Sequence, residues 1–371
     1  MKIAVIAHIR HPIAEPFMGG MESHCHQLVT ALTRRGHDVT LFAARGCSLP
    51  QAQSICDQPY EQVLPWKQWH GTRELADYQD AAFAQAWNAV RDGQFDVVHN
   101  NALFPPLIEW SAAEEIAMVT SQHVPPFGAM RATVRQHSHC DWQRFTVTSY
   151  QQLGLWDGCN LSNFAVVHNG IDTDKWPVAK TRSNRLVWFG RITENKGLRE
   201  AVQAARLSGI PMDIIGMVED ETYFADAVAP SLSENIRYLG HMMGHQLREC
   251  VAGALAAVVT PLWDEPFGLV AAEAMSCGVP VIAFDRGAMR EVLGDCGILV
   301  PGGDIVALAE AMADATRLDG QSCRQRIENH FSVDRMLDGY EDCYRAVIER
   351  VRSGASSSRD SSQSRTVAEL A

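Results

Sequence analysis

Basic residues are in short supply. Across 371 residues, 32 lysines and arginines stand against 44 acids, a formal net charge of −12. Neutralising a phosphate backbone takes clustered Lys and Arg, so this balance argues against a nucleic-acid partner. It also weakens docking on anionic lipid, while leaving room for peripheral membrane contact through a local basic patch. Long apolar runs are missing too. The N-terminal run Ile3–Ala7 has the length of a strand and falls well short of a membrane span or a signal-peptide core. The ten cysteines show no CxxC pairing, which together with the lack of a signal segment leads us to expect reduced thiols and a cytoplasmic location. No G-x-S-x-G, Walker A or G-x-G-x-x-G occurs, which removes the commonest sequence grounds for a hydrolase, a P-loop enzyme or a dinucleotide dehydrogenase. Repeats of 20 to 50 residues are not evident either.

What the chain does contain is enough for two cores. Its length exceeds the size at which one core keeps growing, and 46% hydrophobic residues with a mean hydropathy of −0.12 describe an ordinary globular protein. Short apolar runs alternate with helical periodicity from the start. MKIAVIAHIR reads as a buried strand, EPFMGGMESH as a glycine-containing loop, and the following stretch as a helix to about Arg35, before the strand Asp38–Ala43. Residues 46–72 have no clear period and read as an irregular insertion, a plausible rim for an acceptor. A helix over about Thr72–Gly93 leads to the strand Phe95–His99. Further strands are expected at Ala117–Ser121, Phe145–Thr148, Phe164–Val167, Leu186–Phe189, Met212–Gly216, Ile236–Gly240, Ala257–Thr260, Val279–Phe284 and Cys296–Val300.

The most informative stretch is WDEPFGLVAAEAMSCGVPVIAF, residues 263–284. A strand ends at Pro261, a short turn holds Glu265, and a helix is expected from Pro266–Gly268 to about Cys277, with Gly278 ending it. The first-turn amides of Phe267, Gly268 and Leu269 would then lack intrahelical partners and suit phosphate or sugar oxygens. Glu265 stands at the mouth of that site. Glu273, about two turns on, can address a different part of the same elongated ligand.

Two glutamates eight positions apart in these flanks resemble the E-x7-E signature of retaining glycosyltransferases of family 4, which have the GT-B fold. The resemblance implies an α/β architecture: two Rossmann-like domains facing across a cleft, with a C-terminal helix crossing back to the first. On that reading residues 1–167 form an N-terminal acceptor domain and 184–330 the donor domain, joined by a polar linker near Lys180–Asn184. Residues 333–351 are the returning helix, and the serine-rich 353–371 a disordered tail. The resemblance assigns Glu265 to hydroxyls of the donor hexose and Glu273 to the ribose diol. RLVWFGRITENKG is similar to the family's G-R…K-G segment, which gives Gly190 a close backbone approach and Arg191 and Lys196 the diphosphate. Gly19 and Gly20 take the place of the family's GGxE loop. In QHVPPF, His123 matches the active-site histidine near the C6 hydroxyl, with a structural histidine as its alternative and His99 as a second candidate. Gly240, His241 and Met242 lie where the nucleotide base rests. AFDRGAMREV resembles the family's glycine-rich loop, but Arg286 replaces its first glycine.

Metal ligation finds little support. His24 and His26 diverge by about 200° on a helix. His137, His139, Cys140 and Asp141 lack a second ligand pair at a recognisable spacing. Asp172-x-Asp174 follows the domain-closing HNGID turn and reads as structural. The implied activity is therefore metal-independent transfer of a hexosyl unit from a nucleotide sugar, UDP- or GDP-linked, to an acceptor hydroxyl on a saccharide, lipid or small molecule, with retention of configuration and no cofactor. A GT-B nucleotide-sugar epimerase and a non-catalytic nucleotide-sugar binding protein are the alternatives.

Overall fold

The computed structural model describes the backbone of residues 1–368, and the side chains up to 353 apart from that of residue 316. The chain divides into two compact units. The first comprises Met1–Val147, Leu153–Val167 and Leu337–Ala371; the second, Thr148–Gln152 and His168–Met336.

The first unit is built on a seven-stranded sheet in the order β3-β2-β1-β4-β5-β6-β7. Its strands are β1 Lys2–Ala7, β2 Asp38–Ala44, β3 Ala52–Cys56, β4 Val97–Asn101, β5 Met118–Gln122, β6 Gln143–Val147 and β7 Phe164–Val166. Every pairing is parallel. Parallel strands are covered on both faces, which is why β1 reads as an unbroken apolar run and Ile3 to Ala7 are fully buried. Trp87, Phe83 and Tyr60 fill one side of the sheet, and Trp156 packs with Phe145 and Phe164. The stretch 46–72 is more regular than its sequence suggests. It supplies β3 as an edge strand and two short helices, Tyr60–Val63 and Trp66–Trp69. Pairing on β2 and the burial of Ile55 and Tyr60 impose that order where local periodicity gives no signal.

The second unit holds a six-stranded parallel sheet, β10-β9-β8-β11-β12-β13. Its strands are β8 Leu186–Phe189, β9 Met212–Ile215, β10 Ile236–Tyr238, β11 Ala257–Val259, β12 Val281–Phe284 and β13 Gly297–Val300. The helix Leu198–Ser208 packs on one face with Leu308 and Met312; the other face is covered by Leu269–Ser276 together with Ile327 and Phe331. In both sheets the strand order reverses beside the first strand, between β1 and β4 and between β8 and β11. In open parallel sheets such switch points leave a crevice at the carboxyl ends of the strands, where ligands bind.

The last helix runs Val333–Ala368, and from Leu337 it belongs to the first unit, where Tyr340, Tyr344 and Val347 are buried. Its backbone continues through serine-rich residues whose composition predicts disorder. Once a packed segment has nucleated a helix, each added residue costs little. Residues 369–371 of the expected tail lie outside the described residues. No described helix is long and apolar enough to cross a membrane.

Close approach of backbone at the strand ends requires glycine. Gly190 N donates to Ile215 O at 3.1 Å and Gly216 N to Gly240 O at 3.0 Å, and a Cβ on Gly216 would sit 1.8 Å from Gly190 O. Gly216→Ala should therefore destabilise the protein by about 1–3 kcal/mol, read as a lower urea midpoint at unchanged slope.

Candidate active site

In the second unit the loops after β8 and β11 meet. Lys196 follows β8 on a short turn closed by Gly197 in the left-handed region, φ +67°, and a Cβ there would lie 2.0 Å from Thr260 O. Thr260 Oγ1 donates to the Gly197 carbonyl at 2.8 Å, fastening this turn to the end of β11. The Lys196 ammonium reaches Glu265 Oε2 at 2.7 Å, with side chains only 21% and 17% exposed. It also lies over the Trp263 ring, 5.3 Å from the centroid, while Trp263 Nε1 donates to the same Glu265 oxygen at 2.9 Å. Glu265 thus has a fixed orientation. Its backbone is held from behind by Gly287, where a Cβ would come within 2.3 Å of Glu265 N and O, and by Ala288 N, which donates to Glu265 O at 2.9 Å. Arg286 stands in the position before Gly287, beside Gly302.

The helix after Glu265 starts later than the sequence suggests. It runs Leu269–Ser276 with Gly268 as its N-cap at φ +92°. Pro266 and Phe267 stay outside because both are otherwise engaged: Thr148 and Ser149 donate their hydroxyl protons to Pro266 O at 3.0 and 2.7 Å, and Phe267 is buried against His168 and Phe331. Only a left-handed residue then turns the chain into the helix, and a Cβ on Gly268 would meet Met289 Cε at 1.9 Å. Ala272 N closes the first turn on Gly268 O, so the amides that open the helix are those of Leu269 and Val270, not Phe267 and Gly268.

Glu273 lies within this helix, half-buried; its surroundings push its pKa up to about 8, chiefly by desolvation, with the nearby Arg248 pulling the other way. Arg191 is exposed and pairs with Glu219 at 2.9 Å. Gly190 has φ +146°, and Gly240, whose carbonyl holds Gly216, has φ +81°. His241 is exposed and Met242 packs partly on the core.

The first unit carries a second group at the carboxyl ends of its strands. Gly19 is the N-cap of the helix Gly20–Arg34, in extended conformation at φ −166°. His123, just beyond β5, is half-buried and donates from Nε2 to Asn101 Oδ1, 2.8 Å away. Burial lowers its pKa to about 4. His99 is wholly buried between Tyr344 Oη at 2.6 Å and Ser121 Oγ at 3.0 Å. His24 is buried as well, while His26 faces Phe17. Among the described residues no group of three His, Cys, Asp or Glu is placed to hold a metal. Three supports escaped sequence reasoning: Trp263 beside Glu265, Glu219 opposite Arg191, and Asn101 opposite His123. Only Trp263, two residues from Glu265, carried a local signal.

Two family models together match residues 18–332. "Glycosyltransferase Family 4" covers residues 18–175 and "Glycosyl transferases group 1" residues 171–332. The chain belongs to glycosyltransferase family 4. Relatives of this family 4 protein include the phosphatidyl-myo-inositol mannosyltransferase of Mycobacterium leprae, 26% identical over 86% of this chain and 88% of that one. The D-inositol 3-phosphate glycosyltransferase of Mycolicibacterium smegmatis is also 26% identical, over 91% and 90%. Among solved structures, sucrose-phosphate synthase from Thermosynechococcus elongatus superposes with a TM-score of 0.75 at 20% identity, covering 94% of this chain and 99% of that one. Anabaena HepE in complex with UDP and glucose gives 0.69 at 17% identity, over 92% and 98%. These likenesses identify the fold as GT-B.

The Glu273 shift has a consequence for the family 4 protein's stability. An acid whose pKa is near 4.5 unfolded and about 8 folded keeps its proton in the native state across that window. The unfolded state binds fewer protons there, so stability falls as pH rises from about 4.5 to 8. Thermal unfolding should show Tm of the wild type dropping relative to Glu273→Gln between pH 5.5 and 8.5. Parallel curves would contradict the shift.

Proposed function

We propose that this glycosyltransferase moves a hexosyl unit from a nucleotide sugar to an acceptor hydroxyl with retention of anomeric configuration and without a metal. The observation that carries this reading is the Lys196–Glu265 contact of 2.7 Å at the β8/β11 switch point, directly ahead of a helix start. As the bond from the anomeric carbon to the phosphate oxygen breaks, negative charge gathers on the departing diphosphate and positive charge on the sugar. Fixed cations and helix amides aimed at the phosphate stabilise that separation without reorganising. Lys196, Arg191 and the amides of Leu269 and Val270 take this role. Glu265 orients hexose hydroxyls, Glu273 the ribose diol, and Gly190 admits the diphosphate close to backbone. Gly240, His241 and Met242 receive the base; in the first unit, Gly19 and Gly20 take the place of the family's glycine loop and His123 that of its histidine.

Glu265, the acid directly ahead of the helix start, is engaged by Lys196 and Trp263, which does not favour it as a covalent nucleophile. We therefore favour front-face displacement: the acceptor oxygen bonds to the anomeric carbon as the phosphate leaves on the same side, and the acceptor proton passes to the departing phosphate oxygen. The relatives' names point to inositol phosphates as acceptors to try first, and the UDP held by Anabaena HepE points to UDP-sugars among the donors.

Charge-assisted contacts contribute about 1.5–3 kcal/mol each. Lys196→Ala and Arg191→Ala should therefore each lower kcat/KM by roughly one to two powers of ten with the fold intact by circular dichroism. Wild-type turnover in both variants would remove the diphosphate assignment. Activity should also survive EDTA, and NMR of the product should show the donor's anomeric configuration; a strict demand for Mg²⁺ or an inverted product would overturn the corresponding part of the proposal.

A further inference from the structure

Asn101 closes β4 and lies beside the imidazole of His123. Its Oδ1, 2.8 Å from His123 Nε2, can only accept, so the single proton of a neutral ring belongs on Nε2. The amide of the same side chain faces His24, with Nδ2 donating to His24 Nδ1 at 3.3 Å. His24 Nε2 in turn donates to Tyr340 Oη on the last helix at 3.2 Å. One side-chain amide therefore sets the proton positions of two imidazoles whose centroids are 4.2 Å apart. Around this pair stand His99 from β4, Cys25 from the first long helix and Tyr340 from the last; the buried carboxylate of Glu22 on the same helix as Cys25 acts on that thiol and not on either ring. Burial pushes His24, His99 and His123 all downward, so the rings are neutral at physiological pH. His123 Nδ1 makes no hydrogen bond among the described residues.

We propose that Asn101 is a positioning residue that holds His123 as its Nε2–H tautomer, which leaves Nδ1 as a hydrogen-bond acceptor for a hydroxyl of the bound sugar. The assignment rests on the transfer reaction proposed above only for the identity of that hydroxyl. A neutral ring with its acceptor side outward takes a proton-bearing hydroxyl and rejects a carbonyl or phosphate oxygen in the same place, because neither has a proton to give. The amide acts as a carboxylate does in a carboxylate–histidine pair, fixing ring and tautomer without adding charge.

The test uses the full chain labelled with ¹⁵N-histidine. Long-range ¹H–¹⁵N spectra, with His123 assigned by His123→Ala, should show the Nε2–H pattern in the wild type. Asn101→Asp keeps an accepting oxygen and should preserve that pattern. It should also move the acidic limb of the kcat/KM profile to higher pH, because a carboxylate stabilises imidazolium. Asn101→Ala should mix the tautomers and lower kcat/KM about tenfold. A wild-type spectrum in the Nδ1–H pattern, or one that Asn101→Ala leaves unchanged, overturns the proposal. If the spectra behave as expected but His123→Ala turns over at the wild-type rate, the sugar-facing role fails while the tautomer assignment stands, and the two failures are told apart.

Discussion

The contact between Lys196 and Glu265 is the constraint on which the candidate site of the second unit depends, and it exists because backbone can approach backbone on both sides of it. Gly197 lies against Thr260 O and Gly287 against the Glu265 peptide, at distances no Cβ would allow. The pair is formed between side chains that are mostly shielded from water. Removing one member of such a pair leaves the other charge buried and uncompensated, at several kcal/mol. Trp263 strengthens the arrangement from both ends, offering its ring face to the ammonium and its N–H to the carboxylate. A lysine in this frame loses little entropy on meeting a phosphate, since its position is set beforehand.

Arg191 follows a different physical plan. It is exposed, with Glu219 as a solvent-screened partner. Surface pairs of this kind are worth about 0–1 kcal/mol. Its guanidinium can therefore leave Glu219 for a bidentate grip on phosphate at small cost, whereas Lys196 is held in place. In the proposed reaction, a fixed point charge and an adjustable planar fork would together suit a diphosphate whose charge shifts along its length as the sugar departs.

Much of this fold could be read from residues, and the exceptions share a cause. The strand Leu186–Phe189 and the helix Leu198–Ser208 sit where apolar period and glycine punctuation place them. The E-x7-E stretch announced the family, because its glycines and apolar residues answer to local backbone needs. What stayed hidden was set by partners distant in sequence. The helix after Glu265 starts at Leu269 instead of Pro266 because hydroxyls of Thr148 and Ser149 occupy the Pro266 carbonyl, more than a hundred residues away. The edge strand Ala52–Cys56 is ordered by pairing with β2, not by its own pattern. Asn101 in VVHNNA looks like any strand-end asparagine until His123 is placed opposite it.

Burial decides where charge is permitted. In the first unit it keeps three histidines from taking up the second proton that would charge them, and the groups packed around them, tyrosine, serine and amide, add no charge. In the second unit it holds a proton on Glu273 up to a pKa of about 8, so near neutrality this residue is a carboxylic acid that can both donate and accept. Each unit thus presents hydrogen-bonding groups rather than ions at most of its candidate positions. Lys196 and Arg191 are each already paired with one carboxylate, Glu265 and Glu219, and a further buried carboxylate beside them would weaken the pull that the proposed reaction asks of them.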